Sequence, residues 1–236
     1  MRAQNNLATQ LSNLSLQLYE RLIKAGYAKS DQEFREITQF FYENLPKTEN
    51  EQLGFREKLW YYKAHVWYSF LTQDFLSTYR YSSKWVEMFE ESTAMISIHP
   101  VFYLKGINYL MESVVLIKYP SKFKLTLKQM EYWTVHSSFP KNDSLRALSF
   151  QFYFSNKLNM HFLEGSFEEA QILIPEIKKG INQNINQIDP HHIMMFYYKI
   201  ACVYFGSEDY ENCIVFLDKI ISNKSLKMRF WNLRKS

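Results

Sequence analysis

The hydrophobic positions of this chain recur at intervals of three and four residues, which is the spacing of one face of an α-helix. The first segment carries a stripe of this kind from Leu7 to Leu22 and stops at Gly26. Similar runs follow along the sequence, and no segment shows the two-residue alternation of a half-buried strand. The pattern therefore predicts an all-α protein without a sheet.

Polar motifs predict where several of these helices begin. The form Ser/Thr-x-x-Glu, whose side chains cap the free amides of a first helical turn, occurs at residues 30–33, 48–51 and 166–169. Pro175 lies inside a long helical pattern and should kink that helix near Gln171, whereas the other prolines fall at or near helix boundaries. The clearest predicted loop runs over residues 137–144.

One helical motif occurs four times, with a bulky residue, a small or apolar residue four positions later, and an aromatic or histidine seven positions later. The copies run from Trp60 to Trp67, from Phe102 to Tyr109, from Phe154 to His161 and from Tyr197 to Tyr204, with Ala64, Gly106, Leu158 and Ala201 at the fifth position. Each copy precedes a turn and a second apolar helix. A recurring helix pair is typical of a stacked repeat array.

The motif resembles that of tetratricopeptide repeats, and the copy from Tyr197 to Tyr204, continued by Tyr210 and Cys213, is the best match. The copies are further apart than the family spacing of about 34 residues, as in uncharacterised bacterial TPR-like proteins with long degenerate repeats. The resemblance implies an α-solenoid, a right-handed superhelix of about five antiparallel helix pairs.

The resemblance also implies an order of parts within a single domain over residues 1–236. Residues 1–46 form an atypical N-terminal helix pair, and residues 50–222 hold the repeats. Residues 223–236 begin a further helix, which we expect either to fold back as a cap or to belong to a helix pair that continues past this sequence.

Composition narrows the classes of protein without selecting a partner. Of 236 residues, 47% are hydrophobic and 22% are charged, and the net charge of +4 is too mild to indicate nucleic acid by itself. The two cysteines provide no disulfide framework, and no run of about 18 apolar residues could cross a membrane. We therefore expect a cytoplasmic protein that does not act at a membrane.

The residues of common catalytic and metal sites do not occur in their usual arrangements. The six histidines form no H-x-x-x-H pair, the six glycines form no phosphate loop, and there is no G-x-S-x-G elbow. Cys202 could act as a nucleophile, but its helical position favours a small buried or groove-lining residue. We expect no catalytic residue, metal, cofactor or small-molecule substrate.

Tetratricopeptide arrays usually bind partners on the concave face formed by the first helix of each pair. By resemblance, the residues of that face are Tyr61, His65, Tyr68, Tyr103, Ile107, Asn159, Tyr198 and Cys202. Tyrosine suits recognition because it combines a large rigid ring with one hydroxyl group. The alternative is plain packing between neighbouring helices.

A lysine occupies the fourth motif position in three copies, at Lys63, Lys105 and Lys157. A buried ammonium is costly, so these side chains should reach solvent or a carboxylate. One hypothesis is a basic ladder on one surface, able to bind an acidic peptide or a phosphate backbone. The alternative is that each lysine lays its stem over an aromatic ring.

These observations predict a non-enzymatic interaction module that binds a peptide, or a helix of another protein, in its concave groove. The alternative function is a regulatory module that contacts nucleic acid or a transcription complex through the lysine ladder.

Overall fold

The computed structural model describes residues 2–47, 53–135, 139 and 142–222, and within these ranges the chain is helical and contains no strand. The helices are α1 (Arg2–Ala25), α2 (Asp31–Asn44), α3 (Phe55–Leu71), α4 (Phe75–Glu90), α5 (Ala94–Ile98), α6 (Pro100–Leu116), α7 (Pro120–Val135), α8 (Asp143–Glu164), α9 (Phe167–Gln171), α10 (Ile174–Gln183), α11 (Pro190–Gly206) and α12 (Tyr210–Ile221). The all-α prediction is confirmed for this part of the chain. The capping box at 48–51, most of the loop at 137–144 and the segment 223–236 lie outside the described residues.

The chain divides into two compact units, Met1–Thr126 and Leu127–Ser236. The single domain over residues 1–236 stays a prediction. In the first unit α1 packs against α3, α3 against α4, and α4 against α6. In the second unit α11 packs against α8, α9 and α12. These helices thus pack on helices that are near them in the sequence.

The predicted cap of α2 is present, and α4, α11 and α12 begin at aspartate caps. The Ser30 hydroxyl accepts a hydrogen bond from the Glu33 amide at 3.2 Å, and the Asp74 carboxylate accepts one from the Ser77 amide at 3.0 Å. Asp189 and Asp209 cap α11 and α12 in the same way. These bonds satisfy amides that the first turn of a helix leaves without a partner.

The third predicted capping box does not form, because the Ser166 hydroxyl bonds to the His161 ring at 2.8 Å instead of capping α9. The kink predicted near Gln171 is a full break between two helices. Helix α9 ends at Gln171, and α10 starts at Ile174 with Pro175 in its first turn. The first turn of a helix does not use the amide hydrogen that proline lacks, so Pro175 is well suited to the start of α10.

Equivalent positions of the motif meet each other in the first unit. The rings of Trp60 and Phe102 pack edge to face with their centroids 5.8 Å apart, and those of Trp67 and Tyr109 do so at 4.7 Å. In the second unit Phe154 belongs to the buried core, and Tyr197 packs against that core. The motif therefore marks residues that pack between helices within each unit.

The fifth motif position is buried in every copy, as the pattern predicted. Ala64, Leu158 and Ala201 are in the core, and Gly106 lies where α6 approaches α4. A Cβ atom on Gly106 would stand 3.0 Å from the buried indole ring of Trp85. The missing side chain at Gly106 is what lets these helices come this close.

Candidate functional site

A pocket of about 580 Å³ lies in the first unit beside α1, α3 and α6, and we call it the aromatic pocket. Its lining includes the rings of Tyr19, Tyr27, Trp67, Phe70 and Tyr109. Glu112 and Lys29 supply its charges, and Leu22, Ala25 and Gly26 complete it. The volume is typical of sites that hold a small ligand or one side chain of a partner.

Trp67 is the centre of the aromatic wall. Its ring centroid lies 4.8 Å from that of Tyr19 on α1 and 4.7 Å from that of Tyr109 on α6. Phe70 follows on the same helix, 6.3 Å from Trp67 and 6.4 Å from Tyr109. Three helices thus bring four rings together, with Trp67 in contact with each of the other three, and the packing limits their movement.

The fifth ring, Tyr27, belongs to the connection between α1 and α2, which is tied to the end of α3. The Ala28 amide donates a hydrogen bond to the Leu71 carbonyl at 2.8 Å, and the Gln73 side chain donates one to the Ala28 carbonyl at 3.1 Å. Gly26 turns the chain with a φ of +76°, a value that favours glycine. The connection therefore holds Tyr27 and Lys29 at the rim.

The polar groups of the aromatic pocket are few. Asn108 donates a hydrogen bond to the Glu112 carboxylate at 2.7 Å, which orients that carboxylate on α6. Burial, and next the negative charge of Glu112, raise the pKa of the Tyr109 hydroxyl far above its ordinary value. Tyr109 therefore stays neutral at all physiological pH values.

The predicted groove residues Tyr61, His65 and Tyr68 lie together, in an aromatic cluster that joins α2, α3 and α4. The His65 ring is 4.2 Å from that of Tyr61 and 4.1 Å from that of Tyr81, and Tyr68 stacks on Phe41 at 4.1 Å. The ring nitrogen Nδ1 of His65 donates to the Tyr61 carbonyl at 2.9 Å. Burial lowers the pKa of His65 to about 4, so the ring is neutral at pH 7.

The next two predicted groove residues are in the core. Tyr103 and Ile107 have no exposed surface, and the ring of Tyr103 packs 5.5 Å from that of Phe89 on α4. Because both side chains are fully buried, a partner on the surface could not reach them. We therefore leave them out of the binding surface.

The remaining predicted groove residues belong to the second unit. Lys199 donates hydrogen bonds to the Ser155 hydroxyl at 2.6 Å and to the Asn159 side chain at 2.7 Å, so Asn159 joins α8 to α11. Tyr198 is 53% exposed and lies beside the half-buried Cys202, which raises the pKa of the Tyr198 hydroxyl. Tyr198 is the residue of this group that is open to a partner.

The three motif lysines do not share one environment. Lys63 is only 8% exposed, and its ammonium lies 4.0 Å from the ring centroid of Trp60 and 4.8 Å from that of Phe102. Burial, and then the charge of Lys105, lower the pKa of Lys63 to about 7. In the second unit Lys157 bonds to the Tyr153 hydroxyl at 3.3 Å and lies near the same ring.

Lys63 therefore does not fit the hypothesis of a basic ladder, because aromatic rings enclose it and its ammonium is not on the surface. The contacts of Lys63 and Lys157 agree instead with the alternative interpretation, in which a lysine stem lies over an aromatic ring. Lys105 is half-buried.

The sequence did not identify the aromatic pocket as a site. Trp67 and Tyr109 stood out as motif residues, but Tyr19, Tyr27 and Glu112 belong to no repeated pattern. Lys199 was also missed, because its partners on α8 are about 40 residues away in the sequence. The one available signal was the closeness of Tyr19 and Tyr27 to the predicted end of the first helix at Gly26.

Comparison of the chain with protein-family models, with curated proteins and with solved structures gives no match. In the part of the chain that the structure describes, no helix has both the length and the apolar character needed to cross a membrane.

Proposed function

We propose that this chain is an interaction module that binds a peptide segment of another protein and anchors one of its residues in the aromatic pocket. The observation that carries this proposal is the set of rings that three helices bring to one opening, where Tyr19 and Tyr109 are partly exposed and Trp67 is the buried ring between them. Rigid aromatic side chains are the usual anchors of protein interfaces, because they bury much surface at little cost in entropy.

The architecture that we propose is a TPR-like array in which helix pairs stack as a right-handed superhelix. The support for this architecture is local: equivalent positions of successive motif copies contact each other, Trp60 with Phe102 and Trp67 with Tyr109. In such an array the first helices of successive pairs line the binding face, and α1, α3 and α6 all contribute to the aromatic pocket. A cytoplasmic location remains part of the proposal.

A non-enzymatic role agrees with the chemistry of this pocket. Among its described lining residues the titratable groups are tyrosines, Glu112 and Lys29, and none is a histidine or cysteine. An acid–base pair or an activated nucleophile needs convergent polar groups, and this wall is mainly hydrocarbon. Nucleic-acid binding through the lysine ladder loses its basis, since Lys63 is enclosed by rings.

The test is selection of binders from a random peptide library on the intact chain, followed by measurement of their affinity for pocket variants. We expect Tyr19→Leu and Tyr27→Leu each to lower the affinity for the selected peptides by about tenfold, since each removes an aromatic anchor. Both rings are partly exposed, so these changes should leave the fold intact.

The matched control is Tyr42→Leu, which removes an exposed tyrosine of the same unit outside the aromatic pocket. Its affinity for the same peptides should equal that of the wild type. Peptides that bind all three variants equally would contradict the proposed site.

A further inference from the structure

The rings of the aromatic pocket provide an environment that suits a positive charge. The face of an aromatic ring is electron-rich, and a cation within about 6 Å of its centroid is attracted to it. Tyr19, Trp67 and Tyr109 lie in one row of contacts with centroid separations below 5 Å. Because Tyr109 keeps its proton, this wall carries no charge of its own.

The sign of the charge that the pocket prefers is set by Glu112. It is the acidic residue among the described lining residues, and the bond from Asn108 holds its carboxylate in place on α6. A carboxylate beside aromatic faces favours a cation in two ways, because its own charge adds to the attraction of the electron-rich rings.

The helix ends add to the same preference. Helix α1 ends at Ala25, and α3 ends one residue after Phe70, so two C-terminal turns border the aromatic pocket. The C-terminus of a helix carries a partial negative charge that stabilises nearby cations. Lys29 opposes this preference, but it is exposed on the rim and its flexible side chain can turn to solvent.

We infer that the aromatic pocket recognises an organic cation, the ammonium or guanidinium end of a basic side chain in the partner peptide. This inference rests on the proposed function and names the residue that the peptide inserts. The cationic head lies against the partly exposed rings of Tyr19 and Tyr109 and faces Glu112, while its alkyl stem packs along Tyr27. The buried Trp67 holds the first two rings in place beneath it. The pocket volume of about 580 Å³ is sufficient for such a side chain.

The direct test compares choline with its neutral carbon analogue, in which a tert-butyl group replaces the trimethylammonium group. The two molecules have nearly the same shape and differ in charge. Calorimetric titration of the intact chain should give an affinity for choline about tenfold higher than for the analogue. Equal affinities, or no binding of choline to the folded protein, would overturn the inference.

Two charge variants sharpen this comparison. Glu112→Gln keeps the shape of the side chain and its hydrogen bond with Asn108. It should therefore lower the affinity for choline about tenfold and leave the affinity for the neutral analogue unchanged. Lys29→Gln should raise the affinity for choline by a few fold, because it removes the positive charge that opposes the cation. The control Glu87→Gln removes an exposed acid of the same unit and should change neither affinity.

The chemical source of the cation is resolved with one selected peptide in which the anchor position is varied. Arginine, lysine and trimethyllysine should bind, in an order that identifies the preferred head group, and norleucine should bind at least about tenfold more weakly. If norleucine binds equally and Tyr19→Leu still weakens the peptide, the cation inference fails while the proposed function stands. If no variant of the pocket affects any peptide, the proposed function fails.

Discussion

The indole ring of Trp67 and the phenol ring of Tyr109 meet edge to face, with their centroids 4.7 Å apart. These residues hold the same position in successive copies of the sequence motif, the last residue of each copy. The contact that keeps the two copies in register is therefore also the inner wall of the aromatic pocket. Repeat packing and the candidate binding site have one physical origin here.

Replacement of Gly106 by alanine should destabilise the protein, although alanine is the better helix former. The new Cβ atom would meet the buried Trp85 ring at 3.0 Å. We expect the free energy of unfolding to fall by about 1–2 kcal/mol in a urea titration, after a gain in helix propensity of about 1 kcal/mol is included.

The double variant Gly106→Ala with Trp85→Phe provides the control, because the smaller ring leaves room for the methyl group. Its loss of stability should be smaller than the sum of the two single losses. Strict additivity would show that Gly106 is not placed there for the approach of Trp85.

Replacement of Lys63 by methionine should stabilise the protein at pH 7. The pKa of Lys63 is about 7 in the folded state against 10.5 ordinarily, so between these pH values the unfolded chain binds more protons. The stability of the wild type therefore rises from pH 7 to 10.5. We expect Lys63→Met to add about 1–3 kcal/mol at pH 7, since contact with Trp60 only partly offsets the cost of burial.

The gain from Lys63→Met should shrink as the pH rises toward 10.5, which urea titrations at several pH values would measure. Lys84→Met, at an exposed position of the same unit, should change the stability by less than about 0.5 kcal/mol. A Lys63→Met protein that is less stable than the wild type at pH 7 would mean that the rings hold the ammonium favourably.

His65 should make the protein sensitive to acid. Its pKa falls from 6.5 to about 4 on folding, so the unfolded chain binds more protons between these pH values. The contribution of neutral His65 to the free energy of unfolding is complete above pH 6.5. It is lost as the pH falls toward 4, by up to about 1.4 kcal/mol for each pH unit.

The variant His65→Gln isolates this contribution, because its amide can still donate to the Tyr61 carbonyl, which His65 now bonds at 2.9 Å. Its stability should fall less steeply than that of the wild type between pH 6.5 and 4. Identical slopes for the two proteins would assign the acid sensitivity to other groups.

Lys199 should be important for the stability of the second unit. It links α11 to α8 through hydrogen bonds to Ser155 and Asn159. Lys199→Met leaves both acceptors without this donor and should cost about 1–3 kcal/mol in unfolding free energy. Lys179→Met, at an exposed position of the same unit, is the control and should be nearly neutral.

The helices could be predicted largely because their signals are local. The stripe in α1, the cap at Ser30 and the interruption of the helix near Gln171 all depend on neighbours within one or two turns. The cap at Ser166 was wrong because His161 competes for the same hydroxyl, a contact five residues away that a capping pattern does not contain.

The candidate site could be predicted only in part, because a motif fixes which residues recur and not which of their faces is open. Trp67 and Tyr109 were found as motif residues, whereas Tyr103 and Ile107 were placed on a binding face and are in the core. Tyr19 completes the aromatic wall from a helix that lacks the motif. Only the packing of α1 on α3 brings that ring beside Trp67.

The central claim is that the rings of the aromatic pocket hold the cation of a ligand. Its most direct measurement is the nuclear Overhauser effect between the N-methyl protons of bound choline and aromatic protons of the protein. We predict transfer to the rings of Tyr19, Tyr27 and Tyr109, which are the partly exposed tyrosines that line the aromatic pocket. Transfer to other rings alone, such as Trp60 and Phe102 around Lys63, would contradict the account.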